Sequence, residues 1–258
     1  MCLHSSLRSH GPVLGGAGAL VDAFTDAGAT LLVPTFSYRR YALSAPGDLR
    51  PARNGVDYTG WDEQGGRPLD PDARDGGQTP CFTPSSNETD TGAVPAEVLT
   101  RPGRRRGNHP LCSFTALGAG AQELVAQQTP VDVFAPLAAL AEHEGLVVLA
   151  GVGLTRMTLL HHAEVLAGRV PLRRWAAVEE QVEMVVVGGC SEGFEQLGPH
   201  LAHLQARRAV GQSVWRVYPA EAVLEVARRV IGEDPAATVC AARCLPCLDA
   251  VRGGPLLG

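Results

Sequence analysis

The chain has 258 residues, with 22 Arg and no Lys set against 27 Asp and Glu, for a formal net charge of −5. Without lysine it cannot form a Schiff base, anchor pyridoxal phosphate or build a Walker phosphate loop. The mild acidity argues against a dedicated nucleic-acid binder, no apolar run reaches the length of a membrane span, and no basic-then-apolar signal stretch is read at the start.

In chain order, Leu3 to Leu7 reads as a short strand with His4-Ser5-Ser6 at its end. Gly15-Gly16 opens a helical pattern with Leu20, Val21, Ala23, Phe24 and Ala27 on one face and Gly28 as its stop. Ala29 to Val33 is an apolar strand closed by Pro34, and strand, helix, strand is how a wound α/β domain begins. From 37 to 88 the periodicity vanishes among Gly, Pro, Asp and Arg, so an irregular, lid-like segment over a site is expected there. Asp90-Thr91-Gly92 is a cap before a helix over Val94 to Leu99, and further helices are expected over Leu117 to Ala126 and Pro136 to Glu144. Leu146 to Val152 is continuous enough to be a strand covered on both faces. A helix over Thr158 to Ala167, a buried strand over Val182 to Val187 and a helix over Phe194 to Ala206, disturbed by Pro199, come next. An edge strand over Ser213 to Val217 and a final amphipathic helix over Ala220 to Val230 complete the pattern. No repeat or linker divides it, so a single domain over 1–258 is expected, with a cysteine-containing segment over 235–258.

Seven Cys, an odd number, argue against a disulfide framework and for a reducing cytosol. Three of them, Cys240, Cys244 and Cys247, are spaced so that their thiolates can share one tetrahedral ion with a fourth ligand from elsewhere; three ordinary thiols is the alternative. A strand feeding Gly151-Val152-Gly153 and then a helix places a glycine turn where open α/β sheets gather ligands. Three residues apart on that helix, His161 and Glu164 share a face, the arrangement of an imidazole base fixed by a carboxylate; His162 points about 100° away. Four Arg between Arg101 and Arg106 could grip phosphates or simply form a solvated basic loop.

Four stretches, LHSSLRSHGPVLGGAGALVDAF, LLVPTFSY, TDTGAVPAEVLTRPGRRRGNHPLCSFTALG and LVVLAGVGLTRMTLLHHAEVLAG, occur in the order of the aminoglycoside 3-N-acetyltransferase family, which the chain resembles through Glu164 and more faintly beyond. The glycine turn followed by T-x-x-H-x-A-E is the most specific match. The resemblance implies an α/β fold of the antibiotic N-acetyltransferase type, three-layered around a central mixed sheet. It also implies transfer of an acetyl or similar acyl group from a coenzyme A thioester to an amine of an aminoglycoside-like or natural-product acceptor, as in antibiotic resistance. It makes His161 the base, with Glu164 as the nearby acid that orients the imidazole or holds the ammonium of the substrate. Ser5, Ser6 and Ser113 would line the pantetheine and thioester end, and Arg106 and His109 the loop near the coenzyme. A subset of such relatives shares the C-terminal thiols, so a structural zinc is expected on Cys240, Cys244 and Cys247 with Cys190, or failing that His200 or His203, as fourth ligand. The family usually carries Asp, Ser and Asn where this chain has Leu154-Thr155-Arg156-Met157, and the chain starts where the family already has residues behind it, so a first helix would be missing. Losing an acid and gaining Arg156 suits a different amine better than a polycation. Two alternatives remain: a non-catalytic or metal-stabilised relative, and a zinc enzyme using the cysteines.

Overall fold

Side-chain alternation builds the centre of the molecule. In β1 (Cys2–Ser5), Cys2 faces one layer and Leu3 the other; in β6 (Leu146–Ala150), Val147 and Leu149 join the layer of Cys2 while Val148 and Ala150 join that of Leu3. The two strands pair in parallel, from Cys2 opposite Val147 to Ser5 opposite Ala150. On the other side of β1 runs β2 (Leu31–Pro34), also parallel and buried throughout, as a continuous apolar run requires. This computed structural model describes residues 1–43, 45, 54–55, 81–178 and 181–251.

Antiparallel strands extend the sheet both ways. β4 (Arg105–Arg106) and β5 (Phe114–Leu117) lie outside β2, and β9 (Ala206–Val210) and β10 (Ser213–Pro219) outside β6, giving the order β4-β5-β2-β1-β6-β10-β9. Val21 of α1 (Gly16–Asp26) and Val94 and Val98 of α3 (Ala93–Thr100) cover Leu3, Leu31 and Val33 on one face. On the other face pack α4 (Ala121–Val125), α5 (Ala135–Glu142), α6 (Leu159–Leu166) and α8 (Ala220–Glu233). The fold is therefore the expected three-layer α/β arrangement around a mixed sheet. A smaller antiparallel sheet joins β3 (Ala42–Leu43), β7 (Leu172–Val178) and β8 (Gln181–Val187).

Several sequence expectations change. Val182 to Val187 does form a strand, β8, but in the small sheet, where its first residues are exposed rather than buried. Ser213 to Val217 lies inside the large sheet, because Ala206 to Val210, of which only Ala206 falls within the expected helix, as its end, forms the edge strand β9 beside it. The helix over Phe194 to Ala206 breaks into a 3-10 turn at Phe194–Leu197, the four-residue α7 (Gly198–Leu201) beginning around Pro199, and a 3-10 turn at Ala202–Leu204. No side chain caps α3: Asp90 accepts the Arg39 amide and the Thr91 hydroxyl donates to the Pro34 carbonyl. α8 is followed by α9 (Leu245–Val251). Within 37–88, α2 (Tyr38–Tyr41) and β3 are regular, and the remainder of the expected lid lies largely outside the described residues, as do 252–258.

Candidate active site

β1 is flanked by β2 on one side and β6 on the other, so the chain leaves their carboxyl ends in opposite directions and opens a crevice there. A cleft of about 790 Å³ occupies it, with Ser5, Ser6, Gly151, Arg156 and His161 among its lining residues. The turn after β6 must be glycine at Gly151: its φ is +72°, and an added Cβ would overlap Ser9 and Ser213.

His161 sits in the first turn of α6 with its ring 4.7 Å from that of Phe194 and 6.3 Å from that of Phe134. Gly188 closes a further side; a Cβ there would come within 2.9 Å of His161 Cδ2. Nδ1 and Glu164 Oε2 are 2.9 Å apart, which assigns the ring proton to Nδ1 when the imidazole is neutral. Nε2 has no protein partner among the described residues and is left to the cleft. Its geometry is that of a general base.

Two residues that the sequence did not single out complete the Glu164 carboxylate. Arg169 Nη1 donates to Oε1 at 2.7 Å, and Thr238 Oγ1 donates to the same oxygen at 2.6 Å. Arg169 also reaches the Pro235 carbonyl through Nη2 at 2.5 Å. Their only sequence signal is Arg169 standing just past Gly168, the stop of α6; nothing local marks Thr238. His162 lies off the cleft beside Phe134, half-buried, its pKa lowered by desolvation against an opposing pull from Asp132.

His4 lines the cleft and is nearly buried. Desolvation pushes its pKa down to about 4, so its ring is neutral near pH 7. Its Nε2 lies 3.6 Å from the Cys2 sulfur. Burial holds the Cys2 thiol protonated, with a pKa of about 12, so the S–H is the donor to Nε2.

Arg106, His109 and Ser113, expected at the coenzyme, stand behind the cleft wall instead of on it. The Arg106 guanidinium donates to the Ser113 hydroxyl and to the carbonyls of Thr35, Ser86 and Glu88. The His109 ring bridges the Val186 carbonyl at Nε2 and the amides of Leu111 and Cys112 at Nδ1, and desolvation lowers its pKa to about 4. Ser113 is fully buried and donates to the Thr35 carbonyl. The rest of the basic loop is tied down too: Arg101 pairs with Asp22 and Glu97, and Arg104 donates to the carbonyls of Pro84, Ser85, Ser86 and Leu99.

The four sulfurs of Cys190, Cys240, Cys244 and Cys247 all lie within 4.8 Å of one another, with Cys240 3.6 Å from Cys190 and 3.7 Å from Cys247. Those separations are too long for a disulfide and match the ~3.8 Å edge of a tetrahedron with zinc–sulfur bonds of ~2.3 Å. Neither His200 nor His203 belongs to the set among the described residues.

A mixed α/β sheet, with a cleft at its switch point and an imidazole facing it that is backed by a carboxylate, defines an α/β protein with a candidate site at its strand ends. The sequence profile of the aminoglycoside 3-N-acetyltransferase family matches residues 2–231, and the chain belongs to that family. It is 33% identical over 187 residues to aminoglycoside N(3)-acetyltransferase IX of Micromonospora chalcea, covering 69% of this chain and 59% of that protein. It is 32% identical over 199 residues to aminoglycoside N(3)-acetyltransferase VIII of Streptomyces fradiae, covering 72% and 60%. The chain thus matches less than two-thirds of the length of these relatives. Its fold aligns with the apoenzyme structure of aminoglycoside acetyltransferase AAC(3)-IVa at a TM-score of 0.71 and 23% identity, over 98% of this chain and 89% of that one.

Proposed function

We propose that the protein is an acyltransferase that moves an acetyl or similar group from a coenzyme A thioester to the amine of an aminoglycoside-like or natural-product acceptor. The observation that carries this reading is His161, held by Glu164 at 2.9 Å with Nε2 open to the cleft. Family membership supplies the reaction class, and relatives supply the reactants: AAC-IIIb forms a binary complex with CoASH, and a histidine-to-alanine mutant of AAC(3)-IVa forms complexes with a gentamicin and with apramycin.

In this reading the thioester lies against Ser5 and Ser6, at the carboxyl end of β1. The acceptor nitrogen attacks the thioester carbonyl carbon, and His161 Nε2 removes a proton from that nitrogen. Glu164 stabilises the resulting imidazolium, while Arg169 and Thr238 hold the carboxylate still. Collapse of the tetrahedral intermediate forms the amide and breaks the carbon–sulfur bond, and the imidazolium returns its proton to the departing thiolate. Arg106, His109 and Ser113 serve the coenzyme indirectly, by fixing the wall that carries Cys112.

The four thiols fit a structural zinc that joins the segment after β8 to the segment before α9 and to the first turn of α9 itself, where Cys247 lies. Four sulfurs close its coordination sphere, which leaves no position for substrate. Thiols kept free for such a site suit a reducing cytosol.

Thiol release from acetyl-CoA in the presence of amine acceptors tests the proposal. Turnover that disappears in His161→Ala is the expected result, and failure to bind any acyl-CoA would end this reading. Metal analysis of the purified protein should find about one zinc per chain.

A further inference from the structure

Across the glycine turn from the cleft lies a second hollow of about 470 Å³, sharing Gly151, Val152 and Gly153 with it. Gln205, Arg207, Arg216 and Tyr218 line its far side. Pairing of β9 with β10 sets Arg207 directly opposite Arg216. Like charges in that position on neighbouring strands repel.

No ion pair within the described residues relieves the repulsion: neither guanidinium has a carboxylate within 4.0 Å. Arg216 donates from Nη2 to the Val152 carbonyl at 2.7 Å, which aims it at the shared turn, and it also meets the Tyr218 hydroxyl. Both of those partners are uncharged. Arg207 is exposed and its side chain has no hydrogen-bond acceptor among the described residues. Glu195, the acid close to this turn, instead accepts the Leu154 amide at 2.6 Å. The Tyr218 hydroxyl donates to Gln205 Oε1, so the Gln205 amide nitrogen stays available as a further donor.

Two opposed guanidinium forks in a concavity suit an anion with several oxygens, which they can grip by charge-assisted, bidentate hydrogen bonds. We propose that this hollow is an anion subsite of the active site, seating the phosphate or carboxylate oxygens of one reactant while the reacting atoms lie at His161. The inference rests on the acyl-transfer reading. Two sources offer this chemistry: the phosphates of the acyl donor, or an acidic group on the acceptor amine. It gives the hollow the role that the Arg101 to Arg106 loop, whose four guanidiniums all donate to acceptors of the protein, does not fill.

Calorimetric titration of the full chain with inorganic pyrophosphate at low salt is the test, compared with Arg207→Gln, whose exposed position spares the fold and whose melting temperature serves as control. Wild type should bind, and the variant roughly tenfold more weakly. In the thiol-release assay, pyrophosphate competing with acetyl-CoA assigns the hollow to the donor's phosphates, and competing with the amine assigns it to an acidic acceptor. No binding, equal binding by both proteins, or competition with neither reactant overturns the subsite. Pyrophosphate binding that weakens in Arg207→Gln while no acyl group is transferred keeps the anion site and removes the acyltransferase reading. Full transfer with an indifferent Arg207→Gln does the reverse.

Discussion

Two arginine-rich regions of this chain look alike as letters and behave oppositely in space. Between Arg101 and Arg106, all four guanidiniums are tied to carboxylates, carbonyls or hydroxyls of the protein, Arg105 through the neighbouring Arg104 carbonyl alone, and Arg106 is nearly buried. Arg207 and Arg216 face each other across two strands with no acid in ion-pair reach among the described residues. The denser cluster is scaffolding and the sparser pair is open to a ligand. What separates them is the count of partners each donor already has, which no tally of positive charge reveals. The histidines divide the same way: both nitrogens of His109 are bonded to the backbone, while His161 keeps one for the cleft.

The largest effect should come from removing an open group. His161→Ala is expected to lower kcat by ~10²–10⁴-fold with little change in melting temperature, and steady-state kinetics beside a thermal scan would show it. A variant that kept its turnover would erase the distinction. Among the bonded groups, Arg106→Ala strands the carbonyls of Thr35, Ser86 and Glu88, so denaturant unfolding should register a loss of ~3 kcal/mol or more, against ~0.5 kcal/mol or less for Arg207→Gln.

Acid should act through the buried rings. The folded pKa values of His4 and His109, about 4, lie below the ordinary 6.5, so between those limits the unfolded chain binds protons that the native one refuses. Stability is therefore full above pH 6.5 and falls as pH drops towards 4, on the order of 3 kcal/mol per ring at the limit. Melting temperatures across that window should slope downwards in wild type and less steeply in His4→Gln. The smallest effect tests positioning: Thr238→Val should lower kcat about fivefold (~1 kcal/mol) with KM held, and Thr238→Ser should restore it. Loss of KM in place of kcat would assign Thr238 to binding.

Legibility in the sequence followed the range of the physics. β1, α1, β2, β6 and α6 were readable because continuous apolar runs and glycine stops are local signals, and His161 with Glu164 because three residues on a helix is a local distance. β9 was not, since ARRAV carries two adjacent arginines and no buried residue and forms a strand only through its pairing with β10. β7 was overlooked for a related reason: Arg173 and Arg174 interrupt its apolar residues, and its partner strands lie in a separate small sheet. Arg106 was misplaced because its acceptors come from Thr35, Ser86 and Glu88 as well as from nearby Ser113. The sulfur cluster was half visible: three cysteines are close in sequence, while Cys190 arrives from the end of the small sheet.

Thr238 lies past residue 231, where the family profile stops. A gene trimmed to that boundary would keep the sheet, the cleft and both members of the dyad, yet it would cut away the hydroxyl that steadies Glu164, the Pro235 carbonyl that anchors Arg169, and three of the four sulfurs. Cloning limits chosen from homology alone would thus yield a protein with every recognisable signature and a loosened histidine–carboxylate pair.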